Sequence, residues 1–198
     1  MTVAVPVGDR AAGVRADALP VTGEHPPLFA VLGAHGGAGA STLAAWWAPA
    51  ADSGRTWPAS PETTQLVVIV ARLCLPGLVA CLDRLHEWHA EVTPEGVQVL
   101  GVVLIPARPG RVPRSVRRYC ANVTEMAPVV WEIGWHDGLL ETEPEHLASS
   151  RPFDPPPPRR ADLHSAVPPD VHRVGAAVID RVRHLHHSRS ASPAPEVR

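Results

Sequence analysis

One stretch constrains the fold of this chain more than any other. Residues 33–42 hold four glycines, Gly33, Gly36, Gly37 and Gly39, and close on Ser41 and Thr42. A short apolar run at 28–32 precedes them, and helix-forming composition at 40–48 follows, stopped by Pro49. The order is strand, loop, helix. Glycines in such a loop let successive backbone N–H groups converge on one point, and the helix N-terminus adds its positive end. That arrangement binds anions, typically phosphate. Tight turns also need glycine for steric reasons alone, so the strand-loop-helix context and the Ser-Thr ending carry the phosphate reading.

The rest of the chain continues the alternation. Val67, Val68, Ile69 and Val70 put β-branched side chains on both parities of 65–71, the pattern of a strand buried on both faces of a parallel sheet. Residues 77–90 place Leu78, Leu82 and Leu85 on one helical face, with Asp83, Arg84 and Glu87 elsewhere, which predicts a crossover helix. A third strand at 97–105 ends in Pro106. A helix then opens at Pro113, where proline costs no hydrogen bond, and a fourth strand spans 128–133. The expected fold is α/β: a small, mainly parallel sheet of about four to five strands with flanking helices, adjacent strands following chain order.

Composition marks the borders. Residues 1–26 mix Gly, Pro, Asp and Arg without period and read as a disordered arm outside the fold. The α/β domain takes 27–141. Residues 142–167, with four consecutive prolines starting at Pro155, read as a linker. An amphipathic helix at 168–187 carries Val171, Val174, Val178, Val182 and Leu185 on one stripe. If right-handed crossovers stack the earlier helices on one face of the sheet, this helix is the natural cover for the other. Residues 188–198 read as a disordered tail.

At 35–41 the chain resembles the deviant Walker A loop of the MinD/ParA ATPases, in which lysine, two glycines, any residue, glycine, lysine and Ser/Thr follow one another. Gly36, Gly37 and Gly39 match, Ala38 takes the free position, and Ser41 matches the hydroxyl that contacts Mg²⁺. His35 stands at the first lysine and Ala40 at the second. More faintly, the strand at 100–104 and the Pro-Val-Val-Trp-Glu-Ile strand after it resemble the last third of that fold. The chain is also similar to a set of short actinobacterial proteins with this degenerate loop and a Trp57-Pro58 element. The resemblance implies a truncated P-loop NTPase-like fold, with a phosphate or nucleotide site at Gly36, Gly37, Ala38, Gly39, Ala40, Ser41 and Thr42.

All 18 basic residues are arginine, so no lysine is available to such a loop. A charge-assisted hydrogen bond to phosphate is worth roughly 1.5–3 kcal/mol, or about one to two decades in affinity. Only residues 43–64 separate the loop from the next strong strand, and no acid follows that strand, where the active ATPases carry their Mg²⁺ and water-positioning carboxylates. Negligible ATP hydrolysis and no catalytic residue are therefore expected. Arg72, Arg108 and Arg111 follow strand ends on the edge where open parallel sheets bind ligands, and arginine grips phosphate with two donors. The plainer reading makes them solvated loop arginines near Asp or Glu partners.

Three functions follow from these residues: a non-catalytic pseudo-ATPase acting as a binding or scaffold module; a weak nucleotide-binding switch with arginines in place of lysine; and a DNA-associated accessory protein, from Arg111, Arg114, Arg117 and Arg118 on or beside one helix. The ligand implied is ATP or another phosphate-containing compound without tight Mg²⁺ dependence.

A net charge of -2 argues against a general nucleic-acid or membrane-surface binder, so nucleic acid is not the expected partner. The three cysteines form no CxxC pair and no disulfide framework, and no apolar stretch approaches the roughly 20 residues of a membrane span, which fits the cytoplasm. Among eleven histidines, His86 with His89 and the group His184, His186 and His187 invite a metal, but no HExxH motif occurs and none is expected to bind one. Trp46, Trp47 and Trp88 suit helix–sheet packing. Trp57, Trp131 and Trp135 lie near loops and are candidates for a partner surface, with core the better placement for each. MinD/ParA proteins act as dimers that bind regulators, so the resemblance implies a protein partner and admits a homodimer.

Overall fold

The apolar runs become one parallel sheet. The computed structural model describes residues 6, 8–160 and 162–190. Its elements are β1 (Gly13–Arg15), β2 (Phe29–Gly33), α1 (Ala40–Trp46), β3 (Ala50–Asp52), β4 (Thr56–Pro58), β5 (Leu66–Leu73), α2 (Leu75–His89), β6 (Gln98–Pro106), α3 (Arg114–Met126), β7 (Val130–Glu132) and α4 (Pro169–Ser190). Five strands pair in the order β3-β2-β5-β6-β7, all parallel, while β1 and β4 form a separate parallel pair. The four strands read from the sequence lie side by side in chain order, as expected. The fifth, β3, adds on the far side of β2.

That extra strand changes the layering. Right-handed crossovers carry β2 to β3 in one direction and β5 to β6 to β7 in the other, so their helices fall on opposite faces. Phe29, Val31, Val68, Val70, Leu100 and Val103 pack with Leu43 and Trp46 of α1, and with Val171, Val174, Val178 and Val182 of α4. Ala30, Leu32, Val67, Ile69, Val102 and Leu104 pack with Leu78, Cys81, Leu82 and Leu85 of α2 and Val123 of α3. The last helix covers the face it was expected to cover, but α1 shares that face, contrary to the expectation that all earlier helices lie on the other.

Three borders differ from the sequence reading. The arm at 1–26 does not lie wholly outside the fold: β1 pairs with β4, Leu19 is buried, and Arg10 Nε donates to Asp83 at 3.0 Å. Residues 1–5 and 7 lie outside the described residues. This packing explains why Asp83, Arg84 and Glu87, which lie off the apolar face of α2, are buried. Glu87 accepts from Arg84 and from Trp57 Nε1, both at 2.7 Å, and from the Ala12 N–H at 2.9 Å. The polar face of α2 is the floor beneath the N-terminal segment, and short-range periodicity carries no sign of such a long-range cover. Nor is 142–167 a free spacer. The Ser150 N–H donates to Trp46 O at 2.8 Å, Ala148 N–H to Leu163 O at 2.7 Å, and Leu147 and Leu163 pack against the core. Finally, α4 runs to Ser190, into the expected tail, and 191–198 lie outside the described residues.

Candidate functional site

The strand order reverses between β2 and β5, with every strand parallel. In open α/β sheets the crevice for ligands lies outside the carboxyl ends of the strands at such a reversal. The glycine loop leaves β2 at this point, and Arg72 stands near the end of β5 beside it. Gly33, His35, Gly36, Gly37, Ala38, Gly39, Ala40, Ser41 and Thr42 line one cavity of about 300 Å³ together with Asp52, Gly54, Arg55 and Arg72.

Gly37 and Gly39 take φ values of 73° and 110°, left-handed conformations that a side chain would strain. Among the described residues no hydrogen bond engages the N–H groups of Gly36, Gly37, Gly39, Ala40, Ser41 or Thr42. Ala38 and Ala40 turn their methyl groups into the core, so they offer the loop only backbone. Since α1 has seven residues, its dipole adds less than the sequence suggested, and the loop's free donors are the main feature.

Arg72 ties the loop to the sheet. Its Nε donates to Gly37 O at 3.0 Å and its Nη1 to Pro106 O at 3.1 Å, at the end of β6. Among the described residues it forms no ion pair with any carboxylate. Burial pushes its pKa down from the ordinary arginine value, but a guanidinium titrates so high that it stays charged. A half-buried cation satisfied by two carbonyls and no carboxylate stands at the loop, unlike the acid-paired loop arginine of the plainer reading. His35 completes the joint: its Nε2 accepts the Arg72 N–H at 3.1 Å, so Nδ1 carries the proton and donates to Gly36 O at 2.8 Å.

The structure separates the other two arginines from this group. Arg108 and Arg111 line a different cleft, with Leu73, Cys74, Pro106 and Val116. Two residues enter that the sequence reading passed over, Arg55 and Asp52. Asp52 ends β3, and its Oδ2 accepts the Ser41 hydroxyl at 2.6 Å while Oδ1 accepts the Gly54 N–H at 2.8 Å. No acid follows the strand at 65–71, where the active ATPases carry theirs. Asp52 ends a three-residue strand too short to show a period, and only its place two residues after the Ala50 entry could have pointed to it.

Ser41 and Asp52 together are a hydroxyl and a carboxylate that could share one divalent cation with a bound phosphate. Among the described residues no cluster of three or more His, Cys, Asp or Glu could hold a metal by itself. His89 Nε2 meets Met126 O at 2.8 Å. A second cavity of about 250 Å³ shares Thr42 and Arg72 with the first, and Trp135, Ile105, Leu139 and Leu147 make it largely apolar. Of the tryptophans, Trp46, Trp47 and Trp57 are buried, and Trp131 and Trp135 are partly so. No described helix is long and apolar enough to cross a membrane. Compared with protein-family models, curated proteins and solved structures, the chain matches none.

Proposed function

We propose that this chain is a phosphate-recognising module related to the MinD/ParA P-loop proteins, one that binds a phosphate-bearing ligand and does not hydrolyse it. The observation that carries this reading is Arg72, a cation without a carboxylate partner among the described residues, fixed at 3.0 Å from the loop carbonyl of Gly37. It occupies the role that the missing lysines would have filled, arriving from β5 instead of from the loop itself. The unengaged N–H groups of the loop supply the remaining donors, and the site lies where the strand order reverses, the usual crevice of such sheets.

Binding without turnover follows from what surrounds the site. A loop lacking both lysines has lost the ammonium groups that would follow charge onto the leaving phosphate, and Arg72 is already held by two carbonyls. The resulting protein acts through its bound state, as a binding or scaffold module for a protein partner.

The test is a titration of the purified protein with fluorescent ATP and GTP analogues, with and without Mg²⁺, repeated on Arg72→Ala and Gly37→Val. Saturable binding weakened by Arg72→Ala by about one to two decades, the worth of a charge-assisted hydrogen bond, supports the reading. Binding unaffected by either substitution, or no binding at millimolar nucleotide and millimolar inorganic phosphate, overturns it.

A further inference from the structure

Five arginines, Arg108, Arg111, Arg114, Arg117 and Arg118, follow β6 and open α3, and no Asp or Glu interrupts residues 96–124. All five are exposed. Among the described residues none of them forms an ion pair. Arg114, Arg117 and Arg118 are spaced three and four apart and share one side of the helix. The first turn of α3 contains no acid, so these cations crowd the positive end of its dipole, where positive charge is disfavoured. Folding gains nothing from this placement; an anionic partner would.

Two of these arginines, Arg108 and Arg111, border an apolar cleft of about 180 Å³. Leu73, Pro106, Val112 and Val116 line it, with the exposed Arg108 and Arg111 at its edge. A cavity of roughly 150 Å³ accommodates a molecule the size of benzene, so one aliphatic or aromatic side chain fits here. Leu75, next in the chain to the cleft residue Cys74, is 50% exposed at the start of α2. Charge and apolar surface thus meet in one place. A phosphodiester backbone would satisfy the arginines but brings no apolar group for the cleft.

We propose that this surface docks an acidic peptide segment of a partner protein, its carboxylates pairing with the arginines and one apolar side chain entering the cleft. The cleft abuts the glycine loop through Pro106, whose carbonyl Arg72 holds, but its recognition chemistry does not require the loop to be occupied.

Fluorescence anisotropy on the full chain tests this with three labelled probes: a peptide in which glutamates flank a central leucine, the same peptide with serine for that leucine, and a random-sequence DNA duplex. Saturable binding of the leucine peptide is expected, with the serine peptide about tenfold weaker for want of the buried apolar side chain. Arg114→Glu with Arg118→Glu should abolish binding of both peptides, with circular dichroism unchanged. Arg108→Ala with Arg111→Ala, outside the helix, should weaken both without bearing on helix formation. Val116→Ser should bring the leucine peptide to the affinity of the serine peptide. Equal affinity for the two peptides, tighter binding of the duplex than of either, or no saturable binding of the leucine peptide at low salt overturns the proposal.

Discussion

Ser41 donates its hydroxyl to Asp52 across 2.6 Å, joining the first turn after the glycine loop to the end of the neighbouring strand. The carboxylate faces the same cavity as Arg55 and Arg72, so the site carries one anion and two cations near the loop. Asp52 should therefore oppose a phosphate in the absence of metal and favour it when a divalent cation bridges the two. Asp52→Asn is expected to leave metal-free nucleotide binding unchanged or tighter, and to remove any gain from Mg²⁺. Anisotropy titrations with and without MgCl₂ measure both effects, and a persistent Mg²⁺ gain in the variant would exclude Asp52 as the bridge.

Gly77 is a second pressure point, though no polar group of its own reaches the loop. A Cβ there would fall on the Arg72 carbonyl oxygen and come within 3.0 Å of His35 Nε2. Alanine gains about 1 kcal/mol of helix propensity over glycine, while forcing an extra carbon into packed surroundings costs about 1–3 kcal/mol. Gly77→Ala should lose about 1 kcal/mol net in chemical denaturation. It should also weaken nucleotide binding by displacing Arg72, a coupled loss that an ordinary exposed helix glycine would not show.

Asp170 sits in the first turn of α4 and clamps the turn after β7. Burial alone would push its carboxyl up, but the His136 ring 3.2 Å away and the N–H groups of Gly134 and Val171 outweigh burial and bring it down to about 2. A carboxylate held below its unfolded value stabilises the fold at pH above that value, near 4, and the contribution drains away as pH falls toward 2. Asp170→Asn should cost about 1–2 kcal/mol at pH 7, allowing for its partial exposure. The gap between wild type and variant should close on acidification. Urea denaturation at pH 7, 4 and 2 reads it; a gap that widens on acidification contradicts the assignment.

Glu87 tests the N-terminal cover. With 3% of its surface exposed, it holds Trp57, Arg84 and the Ala12 N–H at once. Removing one partner of a buried ion pair typically costs about 3–5 kcal/mol. Glu87→Ala should approach that loss and shift tryptophan emission to longer wavelength as Trp57 gains water. Deleting residues 1–12 should reproduce part of both effects.

The large elements were legible because each carries its own signal. β5 and β6 are long apolar runs buried on both faces, α4 repeats valine at helical spacing, and the glycine loop sits between a strand and a helix. What escaped were features decided by partners distant in sequence. β3 and β4 have three residues each, too few for a period to emerge. With β3 went Asp52 and the reversal that puts α1 beside α4. The burial of Asp83, Arg84 and Glu87 escaped because their cover lies more than seventy residues away in the chain. Arg72 was legible as a strand-end arginine, but its grip on Gly37 O and Pro106 O was not. Arg108 and Arg111 share its position at a strand end, yet an excursion of the chain after Pro106 takes them to another cleft.

The placement of α4 sets the order in which the molecule can be completed. Phe29, Val31, Val68, Val70, Leu100 and Val103 lie on the sheet face that α4 covers, and Trp47 Nε1 donates to Val171 O at 3.1 Å to seal the join. During synthesis the chain emerges from its N-terminus, so the part of this face that α4 covers stays wet until residues 169–190 have left the ribosome. A nascent chain arrested before residue 169 would already hold its glycine loop and all five strands of the sheet, yet would present an apolar surface to whatever waits at the tunnel exit.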